Sequence, residues 1–286
     1  MTDTLERIDL VDVNLTCAVA GREGAPLVLV AHGFPDEPTT FRAQIEALVA
    51  ADYRVVAPTM RGYAPSGLPR SGRYDCAALG HDLVALADHY SPGEKVRLVG
   101  HDWGAVASFA ATAIAPTRFS HLVTLAVPHF RALLANLSAA QLRRSWYMAF
   151  FNLPGIAEAR LRAHDHAMVD RLFHDWAPTF HPSPAEMRTV KDALTGRESA
   201  VLGYYRALLS REMFFGETGR LLYAKTQVDA LHLHGENDGC IGVGCTRGAE
   251  RFYAGSYALK LVPGAGHFLQ REKPDEVNAE LLAFLQ

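Results

Sequence analysis

The chain has 286 residues, 49% hydrophobic and 21% charged, with a formal net charge of −3. That is enough to bury a large core as one α/β domain or two smaller ones, and it carries no basic footprint for nucleic acid. No apolar run reaches the roughly 18 residues of a membrane span, and the acidic, polar start Met1–Asp12 lacks a secretory signal, so a cytoplasmic protein is expected.

In chain order, Ile8–Val13 and Leu15–Ala20 alternate and predict a β-hairpin, followed by turn residues Gly21–Pro26. Leu27–Ala31 is a fully apolar strand that ends in His32-Gly33-Phe34-Pro35. A helix over Thr40–Ala51 follows from Phe41, Ile45 and Leu48 at helical spacing. Tyr53–Ala57 is the next strand and Tyr74–His89 the next helix. Val96–Val99 reads as a strand, Ala105–Ala115 as a small-residue helix, and His121–Val127 as a strand closed by Pro128.

From His129 to Gly219 only helical patterns occur, punctuated by Pro154, Pro178, Pro182, Pro184 and Gly196. The α/β rhythm then returns: strand Val228–His234, a helix near Cys245–Tyr253, strand Tyr257–Val262 and a closing helix Pro274–Leu285. Strands alternating with helices of this length mean a parallel, doubly wound sheet. The uninterrupted helical stretch reads as a lid over the carboxyl edge, where open α/β sheets bind ligands.

Gly100-His101-Asp102-Trp103-Gly104 sits between a strand and a helix, the setting of a nucleophile elbow. Aspartate occupies its centre in place of serine. A carboxylate can attack saturated carbon and leave an alkyl ester on the enzyme, which points toward epoxides or alkyl halides. On such a framework the acid and the histidine follow later strands. Asp238 follows the strand ending at His234, and His267 follows the strand ending at Val262. The alternative acid position, after Ser120–Val127, holds no carboxylate. Backbone N–H groups of Phe34 and Trp103 are the expected oxyanion donors.

His164-Asp165-His166 is read as a solvated helix face, since i and i+2 positions on a helix do not converge on a metal. His232 and His234 are read as a satisfied pair on one strand face. Cys17, Cys76, Cys240 and Cys245 show no C-x-x-C spacing and are read as reduced thiols. No nucleotide-binding motif appears, so neither cofactor nor metal is expected.

His32-Gly33-Phe34-Pro35, Arg61-Gly62-Tyr63, the elbow, Val127-Pro128-His129, the Gly235–Gly242 loop and Gly266-His267-Phe268 together resemble the epoxide hydrolases of the α/β-hydrolase fold. These form an aspartate-nucleophile branch related to haloalkane dehalogenases. The resemblance runs over essentially the whole chain. It implies a mostly parallel eight-stranded sheet with helices on both faces and an inserted all-helical cap. The core would occupy 1–128 and 222–286, and the cap 129–221. It also implies two cap tyrosines that hold the epoxide oxygen and donate a proton. Tyr205, in Gly203-Tyr204-Tyr205-Arg206, matches one. Tyr147, beside Trp146, matches the other more loosely, and Tyr204 and Trp146 leave the pair open. Phe34, Trp103 and His129 would line the substrate pocket. Thr59-Met60 before Arg61 departs from members with an acidic residue there, which puts subfamily in doubt and makes that loop structural.

The expected reaction is epoxide hydrolysis by Asp102, with His267 and Asp238 activating water for the second step. A small-molecule epoxide would be the partner, with no nucleic acid or membrane. Oligomeric state is open, a homodimer included. Haloalkane dehalogenation is the near alternative, although Phe34 stands where a halide donor belongs. Fluoroacetate dehalogenases place arginine beside the nucleophile, and ester hydrolases need serine at the elbow. A non-catalytic ligand-binding protein on this fold is the alternative of another class.

Overall fold

Leu27–Ala31 is buried along its whole length, which requires a sheet covered on both sides. In the computed structural model, which describes residues 4–286, it lies inside one eight-stranded sheet. The strands are β1 (Thr4–Asp9), β2 (Asn14–Ala20), β3 (Leu27–Ala31), β4 (Arg54–Pro58), β5 (Val96–His101), β6 (Phe119–Leu125), β7 (Asp229–Gly235) and β8 (Tyr257–Val262). Their order is β1-β2-β4-β3-β5-β6-β7-β8. Only β2 runs antiparallel to its neighbours; every other pair is parallel.

Side chains alternate across these strands and build two cores. On one face Leu29 and Leu98 pack with Leu79, Leu83, Ala107 and Ala110 from α2 (Cys76–Tyr90) and α3 (Trp103–Ile114). On the other, Val28, Val30 and Val99 meet Ile45, Leu48, Val277 and Leu281 from α1 (Arg42–Ala50) and α13 (Pro274–Leu285). Asp75 caps α2 by accepting the Ala78 N–H.

Between β6 and β7 the described chain forms helices only: α4 (Phe130–Ala135), α5 (Ala139–Arg144), α6 (Trp146–Phe151), α7 (Ile156–Trp176), α8 (Pro184–Leu194), α9 (Glu198–Ala207), α10 (Arg211–Phe215) and α11 (Glu217–Tyr223). A short α12 (Leu269–Glu272) precedes α13. Among the described residues no helix is long and apolar enough to cross a membrane.

Two expectations need correction. The helix near Cys245–Tyr253 is instead a pair of 3-10 turns, Val243–Thr246 and Ala249–Phe252. Arg247 leaves helical geometry at ψ 129°, and Gly248 turns left-handed at φ 66°, which separates the turns. The His164-Asp165-His166 segment is not one solvated helix face. α7 breaks there, with φ of 54°, 53° and 57° at the three residues. His164 and Asp165 are exposed, and Asp165 lies 3.6 Å from Arg188. His166 turns inward and lies 3.4 Å from the buried Glu198.

Candidate active site

The carboxyl ends of β3, β5, β7 and β8 bring Phe34, Asp102, Asp238 and His267 to one place. Asp102 follows β5 with φ 50°, a left-handed conformation that costs a non-glycine residue about 1–3 kcal/mol. The sharp turn throws its carboxylate off the sheet edge. Glycines permit it: a Cβ on Gly100 would collide with the Gly104 backbone, and one on Gly104 would collide with the Ala31 carbonyl. A Cβ on Gly33 would strike the Asp102 side chain, so the loop after β3 can approach only as glycine.

Asp102 Oδ1 accepts the Phe34 N–H at 2.8 Å. Asp102 Oδ2 lies 3.6 Å from His267 Nε2, an ion-pair distance longer than a hydrogen bond. His267 Nδ1 donates to Asp238 Oδ2 at 2.9 Å. Asp238 Oδ1 in turn accepts N–H groups from Cys240 at 2.7 Å and Ile241 at 2.8 Å. All three side chains are buried.

Electrostatics follow from that geometry. Burial works against a charge on His267, but Asp238 and Asp102 outweigh it and raise its pKa to about 10. Burial also opposes the Asp102 carboxylate, yet the paired imidazolium and the Phe34 N–H hold its pKa below the usual carboxylate range. The resting site is therefore one imidazolium between two carboxylates.

Neighbouring histidines stay neutral. Burial lowers His32 to about 4, and its ring links the Met60 N–H at 2.9 Å to the Gly33 carbonyl at 3.0 Å. Burial likewise lowers His101 to about 4, and its Nε2–H donates to the His267 carbonyl at 2.9 Å. These rings brace the oxyanion loop and the histidine loop.

The helical stretch supplies aromatic walls. Tyr205 packs edge-to-face on Trp103 (5.1 Å between ring centres), Phe34 (5.4 Å) and Phe151 (4.9 Å). Tyr147 lies 5.7 Å from Tyr205 and 4.9 Å from Trp176. The Tyr205 hydroxyl is buried with no protein acceptor for its hydrogen, although the Trp103 indole beside it favours the phenolate as a donor would, and the Tyr147 hydroxyl lies 3.2 Å from Cys240 Sγ. Burial pushes both phenols well above their ordinary pKa, so both hold their protons.

The neighbours of the two expected tyrosines are placed differently. Tyr204 donates its hydroxyl to the Arg61 carbonyl at 2.7 Å, and Trp146 is 40% exposed on the surface. His129, expected in the pocket, serves elsewhere. Its Nδ1 accepts the Arg131 N–H at the start of α4, its Nε2 donates to the Ala224 carbonyl, and its ring stacks on Phe252. A residue that caps a helix with one ring nitrogen and ties down a carbonyl with the other has no free polar atom for a ligand.

Several groups had no motif to signal them. The Trp176 carbonyl, at the end of α7, accepts N–H groups from Gly239 (3.0 Å) and His267 (3.1 Å), tying acid and histidine loops to one helix. The Gln141 amide of α5 grips the acid loop, donating to the Cys240 carbonyl at 2.8 Å and accepting the Gly242 N–H at 2.9 Å. Arg61 is structural: it pairs with Asp82 through two 2.7 Å bonds and with Asp12 at 2.9 Å. Asp238, Cys240 and His267 also present ligand atoms within 4.8 Å of one another, a spacing open to a metal ion. Their atoms already form the hydrogen bonds described above, so the group fits a charge-relay network.

The chain is similar to known proteins over nearly its whole length. The model for the α/β hydrolase fold matches residues 26–274. Epoxide hydrolase A of Mycobacterium tuberculosis is 34% identical over 310 residues, covering 97% of this chain and 96% of the relative. An AB hydrolase superfamily protein of Bacillus subtilis is 30% identical over 96% of this chain and 95% of its own length. The crystal structure of epoxide hydrolase A from Mycobacterium thermoresistibile superposes with a TM-score of 0.84 at 30% identity, covering 99% of this chain and 98% of that one. The chain belongs to the α/β-hydrolase fold family, in its epoxide-hydrolase branch.

Proposed function

We propose that the chain is a cytoplasmic enzyme that hydrolyses a small-molecule epoxide to a vicinal diol, with the helices of residues 129–221 as its cap. The observation that supports this is a carboxylate at the elbow beside an aromatic wall that holds two buried, protonated phenols, one of which, Tyr205, has no protein acceptor for its hydroxyl hydrogen. A carboxylate alone fits several reactions at carbon. Phenols poised to donate fit a leaving oxygen that stays attached to the substrate.

In the first step Asp102 Oδ2 bonds to a ring carbon while the ring C–O bond breaks. Tyr205 or Tyr147 protonates the leaving oxygen. Esterification removes the Asp102 charge that helped hold the proton on His267. The imidazolium can then return a proton to the phenolate and become a neutral base.

In the second step His267 takes a proton from water, whose oxygen adds to the ester carbon. Negative charge develops on Oδ1, the atom already under the Phe34 N–H, with the Trp103 N–H as second donor. Each such donor contributes about 3 kcal/mol. Collapse of the adduct passes the added hydroxyl proton to the departing alkoxide. Diol, Asp102 carboxylate and His267 imidazolium result, which is the resting state.

Substitution His267→Gln is expected to trap the ester, read as a protein mass increase equal to the epoxide. Normal diol formation by Asp102→Ala would overturn the reading. Halide release from 1-bromobutane without diol from styrene oxide would replace it with dehalogenation.

A further inference from the structure

His232 and His234 alternate on β7 and so point to the same side of the sheet. Both are completely buried, and neither has a part in the mechanism above. Their contacts lead straight to the acid loop. His234 Nε2 lies 2.8 Å from the Ile241 carbonyl and 3.8 Å from Asp238 Oδ2. His234 Nδ1 lies 3.0 Å from His232 Nε2, and His232 Nδ1 lies 2.8 Å from Thr124 Oγ1.

The hydrogens of this chain can be assigned from chemistry. A carbonyl only accepts, so His234 Nε2 carries a hydrogen. Burial lowers the pKa of both rings, which are therefore neutral and hold one N–H each. His234 Nδ1 must then accept from His232 Nε2–H, and His232 Nδ1 must accept from the Thr124 hydroxyl. The chain runs one way, from Thr124 through both rings to the Ile241 carbonyl. Reversing it would make His232 Nδ1 the donor to the Thr124 carbonyl, 3.1 Å away, and His234 a cation.

Ile241 is where this chain meets the acid. Its N–H and that of Cys240 hold Asp238 Oδ1, which leaves Oδ2 for His267. We propose that His232 and His234 are positioning residues for Asp238: the one-way chain anchors the Ile241 carbonyl and thereby fixes the carboxylate that orients His267. This rests on the reading of Asp238 as the acid of the ester-hydrolysis step.

Two independent arms test it on the full-length enzyme. Ring ¹⁵N resonances should show His232 and His234 neutral, each protonated at Nε2. In His234→Leu the NMR-measured pKa of His267 should fall, and in His234→Gln, whose amide can still donate to Ile241, it should recover. A cationic His234 at neutral pH, or Nδ1-protonated rings, would overturn the assignment. An unchanged His267 pKa in the leucine variant would overturn the positioning role. If the leucine variant does not fold, His234→Asn, too short to reach Ile241, replaces it.

In turnover, His234→Leu should lower kcat about tenfold or more, as small displacements of a catalytic group do, and lower KM with it, so that kcat/KM, which reports ester formation, is little changed. More of the enzyme should then stand as the ester, because the acid serves ester hydrolysis and not ester formation. In an Asp238→Asn background the same change should cost nothing further. Equal losses in both backgrounds would refute the proposal. Failure of the wild-type chain to form diol would remove the proposed function, while the ring-nitrogen and pKa arm, which needs no substrate, would still decide this one.

Discussion

The two halves of the site are built on opposite plans. On the sheet side, Asp102 Oδ1, both Asp238 oxygens and His267 Nδ1 have partners held at 2.7–2.9 Å. On the helical side, the Tyr205 hydroxyl has none and Tyr147 has only a thiol. A buried polar group without a partner costs free energy in the resting protein. The difference separates groups that must hold charge in place from groups kept free to donate to a ligand. The atoms that hold the relay together are paired, whereas the atoms that would meet substrate or water, His267 Nε2 on the sheet side and the Tyr205 hydroxyl on the helical side, have no hydrogen-bond partner.

Removing Asp102, the proposed nucleophile, breaks the sheet side most completely. Asp102→Ala should lower diol formation by at least about 10⁴-fold, as loss of a covalent nucleophile does, measured by product chromatography. Next comes the scaffold. Arg61→Ala would leave Asp82 buried without its partner and should cost about 3–5 kcal/mol of stability, read from urea unfolding. Tyr205→Phe tests the helical side and divides the two plans sharply. It should slow ester formation by about 10²-fold, the scale of one general acid. It should also leave stability unchanged or slightly higher, since it deletes an unpaired buried hydroxyl. A loss of stability with normal turnover would reverse the comparison.

Legibility in the sequence follows the same division. Asp102, Asp238 and His267 were readable because each must follow a strand, and apolar strand runs and glycine-flanked turns leave local patterns. Tyr205 was readable only through resemblance, and its neighbour Tyr204 is the same residue type one position away. The two were told apart by where each hydroxyl ends, at the Arg61 carbonyl for Tyr204 and at no protein group for Tyr205. His129 misled because its motif position said nothing of the Ala224 carbonyl that takes its ring N–H. The break in α7 was invisible for a related reason. No glycine or proline marks it, and the inward turn of His166 toward Glu198 depends on helix packing. Trp176 and Gln141 act through a carbonyl and an amide aimed at a loop about a hundred residues or fewer away, which no local pattern encodes.

The smallest effect separates the charges of the sheet side from its packing. His267 has a pKa of about 10 in the folded chain against 6.5 for an unperturbed histidine. A group whose pKa rises on folding contributes stability that is fully present below the unfolded value and lost as pH climbs through the folded one. The unfolding free energy should therefore decline between pH 6.5 and about 10, with a slope of at most about 1.4 kcal/mol per pH unit from this residue, seen as falling thermal midpoints. His267→Gln should flatten that part of the curve and also weaken the acid limb, because the imidazolium is what chiefly holds the Asp102 pKa down. Asp102 has its pKa lowered on folding, so its contribution is present above the ordinary carboxylate range and fades as pH falls through the lowered value. If instead the alkaline decline survives in His267→Gln, the imidazolium is not its source, and the resting site does not hold its proton between the two carboxylates.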